Sequence, residues 1–150
     1  MTLLIHYYYG DKNNTFYTAL GSATRAKGHR FKVELLVINS EVFFNSNLNI
    51  LKEFHANYVI TYEDLCHHIL RWLNGDNTEN DNGVMYILIN FDEIYLKLEE
   101  SDKKKLINDI HKLAFKAEII LTGEKEIEDL IAHCDYVSFF TLPNTKVVSL

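Results

Sequence analysis

Four short runs of the sequence are almost continuously apolar, and they constrain the fold more than any other feature. They cover residues 3–9, 31–38, 84–91 and 117–123. A strand that is apolar on both faces is typical of the centre of a parallel sheet, where helices cover each face. Segments of helical periodicity separate these runs. We therefore expect an α/β fold, a three-layer sandwich with a mostly parallel sheet and right-handed crossovers.

Three longer stretches between the apolar runs carry helical signals. The first ends near Gly28, with Arg25 and Lys27 in its last turn, where cations favour the helix dipole. Gly28 is expected just beyond this helix, at the position that takes a positive φ. The second stretch covers residues 62–73, and the third starts at Ser101 as its N-cap.

The remaining segments give weaker signals. Residues 39–49 are expected to form a polar connection, and residues 74–83, the most polar run of the chain, a solvated loop. Shorter elements are expected as a helix over 48–54, a strand over 58–61, a last helix over 124–134 and a final strand over 136–142.

Composition limits the classes of partner. The 150 residues fit a single domain, residues 1–150, with a net charge of −6, and nucleic-acid sites are basic overall, so we expect no nucleic acid. No apolar run reaches roughly 18 residues, and the first residues lack a signal-peptide pattern, so we expect no membrane segment. With only two cysteines, the chain is predicted to be cytoplasmic and free of a disulfide framework.

The connection after the first apolar run has the layout of a phosphate-binding loop. A strand leads through Gly10 into a polar stretch, and a helix follows with Thr15 as its expected N-cap. In such a loop, backbone N–H groups and the N-terminus of the helix face an anion. The first strand and helix therefore predict an anion site between them.

Three parts of the sequence carry motifs that occur together in one enzyme family. The first has, in ungapped register, Tyr8-Tyr9-Gly10 and then Ala19, Gly21, Ala23, Arg25, Ala26, Gly28 and His29. The second is Asn90-Phe91-Asp92-Glu93, and the third has Leu121-Thr122-Gly123, Leu130-Ile131, Asp135 and Val137. On these residues the chain resembles the ATP:corrinoid adenosyltransferase family, P-loop enzymes that transfer the adenosyl group of ATP to cobalt(I) of a corrinoid.

The resemblance implies a P-loop NTPase-like fold, with ATP and Mg²⁺ as ligands and a corrinoid as substrate. It places a first set of residues near the phosphates: Gly10, Lys12, Asn13 and Thr15. It places Asp92 and Glu93 at magnesium. A carboxylate at the end of a central strand can instead cap a neighbouring loop, and for these two residues both interpretations stay open. No catalytic residue is assigned.

The sequence departs from the family in the phosphate loop itself. The family's loop glycines correspond to Lys12 and Asn14, its two lysines to Asn13 and Thr15, and its magnesium-binding threonine to Phe16. A triphosphate carries about four negative charges, and one unit pair at about 4 Å is worth ~4 kcal/mol at an effective dielectric of about 20. Loss of the loop lysine therefore weakens nucleotide binding unless Lys12 reaches a phosphate from a shifted loop.

Two functions follow from these residues. The chain is either an adenosyltransferase with an altered phosphate loop, whose partners are nucleotide and corrinoid, or a non-catalytic homologue that acts as a binding or assembly subunit. The residues alone favour the second, because the loop is altered and Glu124 stands where the family has an arginine. The family resemblance favours the first. Whether the chain forms a homo-oligomer or binds another protein stays open.

Other polar groups give weaker signals. Cys66-His67-His68 and His133-Cys134 could suggest metal ligands, but neither has a second pair at a zinc-ligand spacing. Each is interpreted as a buried cysteine beside surface histidines. Tyr7-Tyr8-Tyr9 is interpreted as strand packing because aromatic residues are favoured in strands.

Overall fold

A six-stranded sheet forms the centre of the computed structural model, which describes residues 4–75 and 82–141. Every pairing among the described strands is parallel. In chain order the strands are β1 (Ile5–Gly10), β2 (Phe31–Ile38), β3 (Asn57–Val59), β4 (Gly83–Ile89), β5 (Glu118–Gly123) and β6 (Tyr136–Phe140). Across the sheet they follow the order β3-β2-β4-β5-β1-β6, so β5 separates β1 from β4.

Helices connect the strands. They are α1 (Lys12–Gly28), α2 (Glu41–Ser46), α3 (Leu48–Glu53), α4 (Tyr62–Asn74), α5 (Asp92–Tyr95), α6 (Glu100–Leu113) and α7 (Glu128–Ile131). Within the described part of the chain, none of these helices has the length and the apolar character needed to cross a membrane.

Each face of the sheet has its own hydrophobic core. On one face Leu36 and Ile38 of β2 belong to the core that contains the buried side chains of α4, α6 and α7. On the other face Leu35 and Val37 belong to the core that contains those of α1 and α3. Strands buried on both sides explain why the apolar runs are continuous. The expected fold is confirmed: the chain is an α/β, P-loop NTPase-like three-layer sandwich, and its sheet is wholly parallel among the described strands.

The end of α1 differs from the expectation. Gly28 is the last residue of the helix, and the positive φ belongs to Arg30, at 64°. The backbone N–H groups of His29 and Arg30 donate to carbonyls of the last turn, including that of Lys27, so the chain stays wound past Gly28 before it turns. The prediction of a positive φ at Gly28 was wrong.

Several shorter elements also differ. Residues 41–46 of the expected polar connection form α2, and α6 has Glu99 rather than Ser101 as its N-cap. The last helix is confined to α7 instead of residues 124–134. Two contacts hold the preceding segment outside a helix, because the N–H of Glu124 donates to Asp92 and the carbonyl of Lys125 accepts from Tyr7.

The other elements agree with the sequence within a few residues. α3, α4 and the strand over 136–140 lie where they were expected. The predicted loop over 74–83 falls largely on residues 76–81, and the end of the final strand falls on residue 142; both lie outside the described residues.

Candidate functional site

A crevice of about 560 Å³ lies at the carboxyl ends of β1, β5 and β6. The chain leaves β1 towards α1 on one face of the sheet and leaves β5 towards α7 on the other. Adjacent strands whose connections diverge in this way form a topological switch point, which is where open α/β sheets bind ligands. Eight residues line the crevice: Gly10, Asp11, Lys12, Glu124, Lys125, Phe139, Phe140 and Thr141.

The connection between β1 and α1 is one residue long. Gly10 ends the strand with φ at 119°, and Asp11 alone separates it from the first residue of the helix. The N–H of Asp11 donates to the carbonyl oxygen of Phe140 at 2.7 Å. A Cβ atom on Gly10 would collide with that same carbonyl oxygen. A glycine is therefore required here by both its conformation and the close approach of β6.

Asp11 caps the N-terminus of α1. Its Oδ2 accepts the N–H of Asn14 at 3.0 Å, and its backbone carbonyl accepts the N–H of Thr15 at 3.0 Å. Thr15 was predicted as the N-cap, and this was wrong: it lies one turn inside the helix, 2% exposed, with its hydroxyl donating to the carbonyl of Lys12. The end of the helix that could bind an anion thus holds a carboxylate of the chain itself.

The four residues predicted to lie near the phosphates do not all face the crevice. Gly10 and Lys12 line the crevice, whereas Asn13 is exposed on α1 and Thr15 is buried. The Nζ of Lys12 lies 3.9 Å from Oε1 of Glu124 and 5.3 Å from the centroid of the Phe43 ring. The ammonium group of Lys12 therefore already has a carboxylate beside it.

Phe16, which the sequence resemblance aligned with a magnesium-binding threonine, lies on the buried face of α1. Its side chain is 1% exposed and belongs to the core beneath α1. The ring packs edge-on against Phe43, with centroids 4.8 Å apart. A hydroxyl at this position would be inside the hydrophobic core rather than in the crevice.

Asp92 and Glu93 follow β4 on the short helix α5. Asp92 is 5% exposed, and its Oδ2 accepts the N–H of Glu124 at 2.9 Å, which is the contact of a carboxylate that caps a neighbouring loop. Glu93 is partly buried, and its N–H donates to the carbonyl of Asn90 at 3.1 Å. Among residues 4–75 and 82–141, no three His, Cys, Asp or Glu side chains are grouped so as to hold a metal ion.

Gly123 makes room for this arrangement. A Cβ atom there would lie 2.6 Å from the hydroxyl oxygen of Tyr7 and 2.7 Å from Cγ of Asp92. The Tyr7 hydroxyl donates to the carbonyl of Lys125 at 2.6 Å. Burial, followed by the nearby Asp92 carboxylate, raises the pKa of Tyr7 above its ordinary value, so the phenol stays a donor. Tyr7 and Asp92 together fix the backbone of residues 124–125 at the wall of the crevice.

Sequence reasoning missed two of the residues that define this site. Asp11 was predicted only as part of a loop, although aspartate is among the preferred N-cap residues. Asn90 was predicted as part of a strand, but it takes φ at 64°, and its N–H donates to Oγ1 of Thr122 at 3.0 Å. Asparagine tolerates a positive φ better than most residues, which is the signal that was available.

The edge strand β6 is a second candidate surface. Within the described part of the chain it pairs with β1 alone, so its outer backbone edge has no partner there. Tyr136, Val137 and Phe139 are 55%, 38% and 63% exposed. The ring of Tyr136 stacks on His6 with centroids 5.3 Å apart. This strand thus presents both unpaired backbone groups and aromatic surface.

In comparisons with known proteins, no family model matches the chain and no curated protein does so either. The geometry of the crevice and of the β6 edge therefore carries the functional argument.

Proposed function

We propose that this chain is a non-catalytic binding or assembly subunit built on a P-loop NTPase-like scaffold. One observation carries the proposal: Asp11 occupies the N-terminus of α1, where such a scaffold would bind phosphate. At an effective dielectric of about 20, two like unit charges about 4 Å apart repel by ~4 kcal/mol. A phosphate would have to displace this carboxylate or lie against it.

The charges around the crevice support the same conclusion. Lys12 and Lys125 are matched by Asp11 and Glu124, so the lining residues bring no excess of positive charge to a polyphosphate. Lys12 would also have to leave Glu124, 3.9 Å away, to reach a ligand. A tri-anionic or tetra-anionic ligand gains little from such a surface.

The β6 edge supplies the surface for assembly. An exposed edge strand can accept a further strand, and main-chain hydrogen bonds then give affinity while side chains give specificity. Aromatic residues are enriched in protein interfaces, and Tyr136 and Phe139 are more than half exposed here. The proposed partner adds a strand to β6, and a second copy of this chain is the first partner to test.

The alternative is an enzyme that resembles the ATP:corrinoid adenosyltransferases, which move the adenosyl group of ATP to a cobalt(I) corrinoid. It is favoured by the position of Lys12 and Lys125 at the switch point of the sheet. The resemblance assigns Gly10, Lys12, Asn13 and Thr15 to the phosphates and Asp92 and Glu93 to Mg²⁺, and of these six Gly10 and Lys12 line the crevice.

Calorimetric titration with Mg-ATP, with and without a reduced corrinoid, separates the two functions. We expect no saturable heat and no rise in melting temperature for the wild-type chain, because Asp11 and Glu124 oppose the phosphates. Tight binding that is lost in Lys12→Ala but kept in Lys32→Ala would establish the alternative. Lys32 is the control because it lies near the start of β2, at the amino ends of the strands, whereas the crevice lies at their carboxyl ends.

The assembly role is tested by sedimentation over a wide range of protein concentration. We expect the wild-type chain to self-associate and Phe139→Lys to remain monomeric, because a lysine ammonium at the edge opposes strand pairing. Phe115→Lys is the matched control, since Phe115 is equally exposed, at 65%, but lies after α6. A wild-type monomer at every concentration would rule out the second copy as partner.

A further inference from the structure

A second cavity, of about 320 Å³, lies beside α6 and α7, away from the crevice residues described above. Its lining combines aromatic, cationic and acidic side chains with two imidazoles: Tyr95, Glu100, Lys103, Lys104, Ile107, Asn108, His111, Asp129 and His133. The imidazoles come from different elements, because His111 is in the last turn of α6 and His133 follows α7. The fold thus brings together two nitrogen donors that are far apart in sequence.

The two imidazoles approach each other through ring nitrogens. Nε2 of His111 lies 3.3 Å from Nδ1 of His133, and the ring planes are inclined by 71°. Without another group between them, the N–H of one ring donates a hydrogen bond to the nitrogen of the other. Two nitrogen ligands placed 2.0–2.1 Å from a tetrahedral Zn²⁺ lie about 3.3–3.4 Å apart, so the observed separation is also the bite distance of such an ion.

We propose that His111 and His133 form a two-histidine binding site for a divalent transition-metal ion of the Zn²⁺ type. Imidazole nitrogen suits Zn²⁺, Cu²⁺ and Ni²⁺ and is a poor ligand for Mg²⁺, which prefers oxygen. The ion binds the lone pairs of Nε2 of His111 and Nδ1 of His133, and the proton that now lies between them moves through water to the other nitrogen of the donor ring. This site is separate from the proposed assembly role.

The cavity has one carboxylate close to His133 in the chain, and this carboxylate already has a hydrogen-bond partner. Asp129 lies four residues before His133, and its Oδ2 accepts the hydroxyl of Tyr95 at 2.8 Å. In the described part of the chain no third ligand is grouped with the two imidazoles, so water fills the remaining positions. The positions that water fills can exchange for a further ligand.

The charges around the cavity do not oppose a cation. Lys103 and Lys104 are balanced by Glu100 and Asp129, which line the same cavity. The Nζ of Lys103 lies 3.7 Å from Oε1 of Glu100 and over the ring of Tyr95, so this ammonium already has partners of its own.

Neither Cys134 nor the Cys66-His67-His68 segment is part of the proposed metal site. Cys134 donates its Sγ–H to the carbonyl of Leu130 at 3.4 Å, so its thiol already has a main-chain partner. In the Cys66-His67-His68 segment, Nδ1 of His68 contacts Nη2 of Arg71 at 2.8 Å, where a guanidinium competes with a metal ion. The interpretation of both segments as buried cysteines beside surface histidines holds only in part: His67 and His133 are exposed, but Cys66, Cys134 and His68 are half-buried.

Calorimetric titration of the full chain with zinc chloride tests the proposal. We expect one saturable site whose affinity falls at least about tenfold in His111→Ala and in His133→Ala, because each removes one of the two protein ligands. Magnesium chloride should give no binding. His67→Ala and Cys134→Ser are the matched controls and should leave the zinc affinity unchanged.

Imidazole NMR signals of the wild-type chain give a second measurement that does not depend on the folding of a variant. Zinc should shift the ring signals of His111 and His133 and leave those of His67 in place. Absence of zinc binding, binding that survives both His111→Ala and His133→Ala, or binding lost in Cys134→Ser or His67→Ala would each overturn the proposal.

Discussion

Oδ2 of Asp11 accepts the backbone N–H of Asn14 at 3.0 Å, so a carboxylate of the chain itself lies at the N-terminus of α1. The N-terminus of a helix carries partial positive charge and unpaired N–H groups. In a phosphate-binding loop both are offered to the ligand. In this chain one of those N–H groups bonds to Asp11 instead, which stabilises the start of α1. The negative charge of Asp11 also repels a phosphate at the same position.

Removal of this cap should lower the free energy of unfolding. We expect Asp11→Ala to cost about 1 kcal/mol, within the usual range for an N-cap, because the N–H of Asn14 loses its side-chain partner. Asp11→Asn should retain most of the stability, since its amide oxygen can accept the same hydrogen bond. Urea unfolding followed by the fluorescence of the single tryptophan, Trp72, measures both. Equal stabilities of the two variants would contradict the capping role.

Gly10 should tolerate substitution far less well than a glycine in an open helical position. We expect Gly10→Ala to destabilise the chain by about 2 kcal/mol or more, because its φ is 119° and its Cβ would collide with the carbonyl of Phe140. Gly28→Ala is the control: no atom lies within 4 Å of its added Cβ, and its φ is helical. That change should be neutral or stabilise by up to about 1 kcal/mol. Thermal unfolding distinguishes the two, and similar losses would contradict this account.

Asp92 should matter for the backbone of the crevice. We expect Asp92→Ala to cost about 1–3 kcal/mol, because the N–H of Glu124 loses its carboxylate acceptor. Hydrogen exchange at the amide of Glu124 should accelerate in this variant. Glu93→Ala is the control, since the Glu93 carboxylate forms no hydrogen bond or ion pair with the residues that the structure describes. Its stability should stay within about 0.5 kcal/mol of wild type. An unchanged exchange rate at Glu124 would show that Asp92 does not hold the loop.

The central elements were predictable because their signals are local. The strands β2, β4 and β5 lie in predominantly apolar runs. The apolar side chains of α4 recur at helical spacing, and Leu65, Ile69 and Trp72 are all buried. These apolar patterns indicate that the strands and helices are buried against each other. A parallel sheet requires such burial on both of its faces. The parallel direction of the strands follows from them with the crossover rules, whereas the strand order was not predicted and comes from the structure alone.

The candidate sites depend on contacts between distant residues, and sequence reasoning missed those contacts. Both Asp11 and Thr15 are acceptable N-caps, and the contact of the Asp11 N–H with Phe140 of β6 accompanies the earlier start of the helix. In the same way His111 and His133 are unremarkable separately, and only the packing of α6 beside α7 makes them a pair. Local patterns carry no information about such pairings.

The stability of the chain should fall at alkaline pH partly through Tyr86. Burial, helped by the charge of Glu34, raises the pKa of Tyr86 to about 12, and its ring stacks on Trp72 with centroids 4.1 Å apart. In the unfolded chain a tyrosine ionises near pH 10. The folded state therefore holds a proton that the unfolded state has lost, and the stability present below pH ~10 is lost as the pH rises towards ~12. The slope is about 1.4 kcal/mol per pH unit for one such group.

Urea unfolding followed by circular dichroism should show a shallower alkaline decline for Tyr86→Phe than for wild type. Tyr17→Phe, at a tyrosine that is 53% exposed, is the control and should decline in parallel with wild type. A Tyr86→Phe curve parallel to wild type would mean that Tyr86 ionises alike in the folded and unfolded chains.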